Sequence, residues 1–161
     1  MQTLLNEILA LVLQDVCELD DDEFEFAHRF NSKPPINTTR LAALLVCRRW
    51  ERVARSSVYH TIILSTFTQA RCFSRTLGDQ PDLGTYVWKL LFNGGFGATA
   101  GRILQATPRI THLCLSLAIS SSGSTRGLCK TLQCIQPHSV RLNDSNNSYN
   151  NTQTRNLVAS I

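Results

Sequence analysis

Three short apolar runs share one beat: "VWKLLF" (87–92), "ITHLCLSL" (110–117) and "SVRL" (139–142). Leu90 and Leu113 stand 23 residues apart, Leu113 and Val140 27. Between the first two runs lies "GRILQATPR", a helical stretch ended by Pro108; between the second and third lies "GLCKTLQCIQP", ended by Pro137. Proline closes both because it has no N–H to donate and clashes with the preceding turn. One strand and one helix per unit of roughly 20 to 29 residues describes a stacked array, in which a unit buries its apolar face only against its neighbours. If the three positions are equivalent, their strands pair in parallel and Leu90, Leu113 and Val140 share one core. Upstream, Phe67, Ala70, Phe73, Ser74 and Leu77 carry helical spacing, which predicts a helix closing at Gly78 and leading into the first strand.

The loop "FNGGFGATAGR" (92–102) invites a different reading. Gly95, Gly97 and Ala100 match the G-x-G-x-x-G/A pattern that brings a pyrophosphate to a helix N-terminus. A dinucleotide fold also needs an acid for the ribose about 20 residues further on. No Asp or Glu occurs from Thr85 to Asn143, and no G-x-x-x-x-G-K-[ST] loop is present. Gly94, Gly95 and Gly97 therefore read as turn glycines supplying positive φ. The four histidines fall in no nucleophile elbow and no metal-ligand spacing. Cys129, Cys134 and His138 make C-x4-C-x3-H, which lacks the paired knuckle of zinc sites. The six cysteines include no C-x-x-C pair, and most sit in apolar runs where a thiol acts as a small hydrophobe. The expectation is no enzyme, no cofactor, no metal and a reducing compartment, cytoplasmic or nuclear. The sequons at Asn37, Asn143, Asn146 and Asn150 would then be silent.

The N-terminal part has another period. Leu5, Ile8, Leu9, Val12, Leu13 and Val16 follow one helical stripe. This stretch lacks the basic start and small-residue cleavage site of a signal peptide, and no run in the chain reaches the ~18 apolar residues of a membrane span. Next comes "ELDDDEFEF" (18–26), read as a solvated loop, and then Pro34 and Pro35, which exclude a helix. Thr38 or Thr39 can cap a new helix through "RLAALLVCRRWERVARSS". Its apolar positions cover too much of the circumference for one amphipathic helix, which predicts a break near Cys47. "VYHTIIL" (58–64) reads as extended. Residues 1–25 hold eight acids and no base; the rest holds 16 bases and four acids. Those bases are dispersed, except for Arg48, Arg49, Arg52 and Arg55 on one helix, and frame no nucleic-acid module, so neither a nucleic acid nor a membrane is expected as partner.

"LLNEIL" (4–9), "LLVCRRWERVA" (44–54) and "VYHTIIL" together resemble the F-box, the adaptor-binding module of Skp–cullin–F-box ubiquitin ligases. Leu4, Glu7, Ile8 and Leu9 match its opening; Val46, Cys47, Arg48, Trp50, Val53 and Ala54 match its second half, whose C-R-x-W is the specific signal. Leu5 stands where the family has proline, the acidic insertion lengthens the first link, and Tyr59 stands where many members have a second tryptophan. The repeated beat is similar to that of leucine-rich repeats. The resemblance implies a substrate receptor that docks on a Skp-type adaptor, and through it a cullin, by Leu4, Leu5, Ile8, Leu9, Leu45, Val46, Cys47 and Trp50. A target protein would bind the repeats. The competing reading is an interaction protein with a degenerate F-box, in which these side chains are ordinary core. Three short helices have too much surface to bury them all, which favours a partner.

The expected organisation is α+β: a three-helix F-box-like unit (1–65), an incomplete leucine-rich-repeat-like solenoid (66–142), and a disordered polar tail (143–161). The tail's Asn, Ser and Thr cannot bury enough surface to order it.

Overall fold

The computed structural model describes residues 2–19, 24, 38–117, 125–143 and 152–161, leaving aside the side chains of 2–4, 38 and 39. The Pro34–Pro35 break and the stretch 144–151 lie outside these residues. The N-terminal stripe forms α1 (Gln2–Cys17). The second apolar stretch is divided at Cys47, whose extended backbone (φ −165°, ψ 166°) separates α2 (Thr38–Val46) from α3 (Arg48–His60). These three helices close around Leu13, Cys17, Ala43, Ala54 and Val58. The expected extended segment begins three residues late, because Val58 is buried in that cluster and the last turn of α3 includes it. Packing there outweighs the β-branched preference.

Without a linker, α3 runs into β1 (Thr61–Leu64). Next come α4 (Phe67–Asp79), a 3₁₀ helix (Pro81–Tyr86), β2 (Lys89–Phe92), α5 (Gly97–Ala106), β3 (His112–Ser116), α6 (Arg126–Leu132), β4 (Ser139–Asn143) and α7 (Thr152–Val158). A reciprocal capping box starts α4: Gln69 N–H donates to Thr66 Oγ1 (3.2 Å) and Thr66 N–H to Gln69 Oε1 (3.1 Å).

All four strands form one parallel sheet in chain order. Leu90 is paired with Leu113 and Leu113 with Val140, the register expected from the repeated beat, and all three belong to one core. β1 adds a strand that the beat did not reveal, with Ile62 opposite Leu90, 28 residues before it. Helices and a parallel sheet together give the expected α+β class. Successive strand entries are tied by backbone bonds: Trp88 N–H to His60 O (3.0 Å), Thr111 N–H to Trp88 O (2.9 Å), Ser139 N–H to Thr111 O (2.9 Å).

Alternate strand residues serve two faces. Leu64, Leu90, Phe92, Leu113 and Leu115 lie in the main core with Ala70 and Leu77 of α4, Ile103 and Leu104 of α5, Leu128 of α6 and Leu157 of α7. Leu91 and Cys114, on the other face, are buried with Leu19 and Phe24. This corrects the reading of 18–26 as a wholly solvated loop. Leu19 and Phe24, spaced through the acidic run, have a sheet face to cover, and that burial holds them.

The tail is corrected too. Asn143 ends β4, and α7 buries Leu157 in the main core although most of its residues are polar. Its buried Thr154 donates to Leu117 O (3.3 Å), so a hydroxyl satisfies the carbonyl just past β3. A second hydroxyl, that of Thr125 before α6, donates to Gln153 Oε1 (3.0 Å), so α7 is tied to two neighbouring segments while Leu157 anchors it in the core.

The glycine loop joins β2 to α5. Of the three glycines expected to take positive φ, Gly97 does (55°), while Gly94 and Gly95 do not and Phe96 does instead (45°). Left-handed backbone is costly for a residue with a Cβ. The Phe96 ring, packed against Phe92 with centroids 5.8 Å apart, holds it there. Asn93 ties the loop back to β1, donating from its N–H to Leu64 O (2.9 Å) and from Nδ2 to Ser65 Oγ (3.1 Å). α5 and α6 meet almost backbone to backbone: a Cβ on Gly127 would lie 2.5 Å from Gly97 O.

Candidate docking site on the helical module

α1 carries more apolar residues than its packed face can use. At about 100° per residue, Leu9, Leu13 and Cys17 form one line, and these face α2 and α3. Leu5, Ile8, Leu11, Val12 and Val16 are exposed, Leu11 to 68%. α2 repeats the pattern, with Ala43 buried, Leu44 half-buried, and Leu41, Leu45 and Val46 exposed, Leu45 to 84%. The two helices pack on each other, so both lend apolar side chains to the surface of one small unit. Soluble surfaces scatter single leucines but seldom concentrate this many.

The eight residues expected to dock divide into two groups. Leu5, Ile8, Leu45, Val46 and Cys47 are exposed, while Leu9 and Trp50 are half-buried against the helical core; the side chain of Leu4 is outside the described residues. Leu11 and Leu41 join the exposed group without having been singled out as dockers. Their signal was present in the sequence as an excess of apolar positions over one face, but periodicity alone does not say which members are surplus.

Several contacts hold the two helices in place. Arg40, at the start of α2, donates from Nε to Cys17 O at the end of α1. From Nη2 it donates to Val58 O (3.2 Å) and Thr61 O (3.4 Å) at the end of α3. A guanidinium at two helix C-termini meets carbonyls that have no intrahelical donor, where the helix dipole favours a cation. Arg49 Nε donates to Asn6 Oδ1 (2.8 Å), joining α3 to α1, while its Nη2 is buried with no partner among the described residues. Arg55 Nε donates to Glu51 Oε1 (2.6 Å) along α3. Arg48 and Arg52 are exposed on α3, and Glu7 and Asp15 on α1, so charge borders the apolar surface.

At the junction with the sheet, Tyr59 packs against both the helical and the main core. Burial raises its pKa, partly offset by Arg55, with Glu51 adding a smaller rise. His60 Nδ1 lies 3.0 Å from Glu18 Oε1, and its ring stacks on Trp88 at 6.2 Å.

Cys47 is exposed in the break and makes no side-chain cap. Among the described residues no three His, Cys, Asp or Glu groups cluster to hold a metal ion. No described helix is long and apolar enough to cross a membrane. What the arrangement offers chemically is burial: each exposed leucine covered by a partner contributes about 1.5–3 kcal/mol. No protein-family model, no curated protein and no solved structure matches the chain.

Proposed function

We propose that the chain is a substrate-receptor subunit of a Skp–cullin–F-box type ubiquitin ligase. α1 and α2 dock on a Skp-type adaptor, and the strand-and-helix units, read as leucine-rich-repeat-like, take a target protein. The observation that carries this reading is the exposed apolar set Leu5, Ile8, Leu45 and Val46. It falls on the segments that resemble the F-box, beside the C-R-x-W stretch at Cys47 to Trp50. The repeat reading is supported by strands in chain order at intervals of 28, 23 and 27 residues. Ubiquitin transfer then belongs to other subunits, and this chain contributes binding alone. The test is direct binding of the purified chain to a purified Skp-type adaptor. A complex of about micromolar affinity or better, whose formation requires the exposed leucines, supports the reading. Absence of binding by a folded chain leaves the competing one, an interaction protein whose helical unit has lost its adaptor.

A further inference from the structure

The fold gathers cations that the sequence scatters. From Thr61 onward the chain holds nine Lys and Arg against three Asp. Six of the nine lie on the helices that cover one face of the sheet, and all six are exposed: Arg71 and Arg75 on α4, Arg102 on α5, Arg126 and Lys130 on α6, Arg155 on α7. The only acid in these four helices is Asp79, the last residue of α4. Arg102 lies opposite the buried Ala100 and Leu104 of α5, and Arg126 and Lys130 lie opposite Leu128 and Leu132 of α6. Two pairs, Arg71 with Arg75 and Arg126 with Lys130, stand at i and i+4, where like charges repel and weaken a helix. Such a layer gains from an anionic partner.

The chemistry of that partner can be narrowed. Neither α5 nor α6 exposes a large apolar side chain, so the middle of the layer lacks the aromatic and apolar anchors that carry protein–protein interfaces. No aromatic residue occurs in α5, α6 or α7, and the exposed aromatic of the layer, Phe67, stands alone at the first residue of α4, so no row of stacking platforms for unpaired bases runs along it. What is left to recognise is regularly spaced negative charge. Five of the six cations are arginines, whose guanidinium bonds a phosphate with two parallel N–H groups. Helices side by side at about 8–10 Å spread the cations over about 30 Å, room to meet both strands of a duplex. We propose that the α4–α7 layer binds double-stranded nucleic acid through its phosphates, without preference for base sequence. This goes beyond the adaptor reading and uses none of the residues on α1 and α2 that would dock the adaptor.

The experiment is fluorescence anisotropy of the full chain with a labelled DNA duplex of mixed sequence. Binding at low salt is expected to weaken about 10³-fold between about 50 and about 200 mM salt, as six neutralised phosphates require. An unlabelled duplex of different sequence should compete equally; poly-glutamate and anionic vesicles at matched charge should not. Arg102→Glu combined with Arg126→Glu should cost at least tenfold in affinity with the far-ultraviolet dichroism unchanged, since both side chains are exposed. Arg48→Glu on α3, and Leu45→Asp in the adaptor surface, should leave duplex affinity as it was. The proposal is overturned by no binding at low salt, by salt-insensitive binding, or by full affinity in the folded double variant. Displacement by poly-glutamate overturns it in favour of an acidic protein, displacement by vesicles in favour of a membrane surface. Loss of binding in Arg48→Glu would move the site elsewhere.

Discussion

Leu45 and Trp50 show how differently two residues of one motif can be placed. Leu45 is among the most exposed large apolar residues of the chain, whereas Trp50 is half-buried against the helical core. Leu45→Asp should therefore leave folding intact while lowering adaptor affinity at least tenfold, about 1.4 kcal/mol. Calorimetric titration beside circular dichroism reads both quantities, and an unchanged affinity would remove α2 from the docking surface. Trp50→Ala should cost about 2–3 kcal/mol of stability as well as affinity, because its packing is lost in the free chain too. Cys114 makes a second prediction at this scale. Burial pushes its thiol up to about 12, and burial also raises Cys17, partly offset by Arg40. A raised folded pKa keeps the proton on the native state after the unfolded thiol has lost its own near 9.0. Stability is thus full below about pH 9 and falls as pH rises toward 12, by at most about 1.4 kcal/mol per pH unit for each such proton. Urea midpoints measured between neutral and alkaline pH should show that decline, reduced in Cys114→Ala.

Elements were legible where their cause is local. The strands around Leu90, Leu113 and Val140 announce themselves because alternation and spacing are properties of neighbouring residues, and the break at Cys47 follows from an apolar set too wide for one helix. β1 was not recognised as part of the same sheet, since "TIIL" follows a helix and has no turn or glycine before it. α7 was missed because composition counts polar residues without seeing that Leu157 and Thr154 meet a core built by others. The bonds of Arg40 were illegible for a different reason: its partners are carbonyls 18 to 23 residues away, and a carbonyl leaves no trace in the side-chain sequence. Of the candidate site, the sequence could show the surplus of apolar residues and not its division between core and surface. The contact of α5 with α6 gives a prediction whose sign reverses the usual rule. Gly to Ala inside a helix normally stabilises by about 0.5–1 kcal/mol. At Gly127 the new Cβ would stand 2.5 Å from Gly97 O and 2.7 Å from Ala98 Cα, both backbone atoms that no rotamer can move. Gly127→Ala should therefore destabilise, by about 1–3 kcal/mol as overpacking generally does, and a thermal melt above wild type would refute the close approach.

Across the whole molecule, the helical unit and the sheet are joined by more than the chain. α3 enters β1 directly, Tyr59 belongs to both cores, and Arg40 binds the ends of α1 and α3 together with the first carbonyl of β1. Leu19 and Phe24 lie on the far side of the sheet, so the segment after α1 reaches over to cover Leu91 and Cys114. Units coupled in this way should unfold together, since neither keeps a complete surface without the other. Cys114 reports on the coupling, being 1% exposed beneath these side chains and without an ionised form at neutral pH. Thiols react as thiolates and only when reached, so in the native chain Cys114 should label far more slowly than the exposed Cys47, Cys72 and Cys134. Phe24→Ala removes half of the cover and should cost about 3 kcal/mol, at the low end for a buried phenylalanine. Labelling followed by mass spectrometry should then find Cys114 modified at least tenfold faster, while Cys17, buried among α1–α3, keeps its protection. If Phe24→Ala leaves Cys114 as slow as before, the acidic segment is not what shields that face. If instead Cys17 and Cys114 are exposed together in native conditions, the variant has lost the global fold, and the two units stand or fall as one.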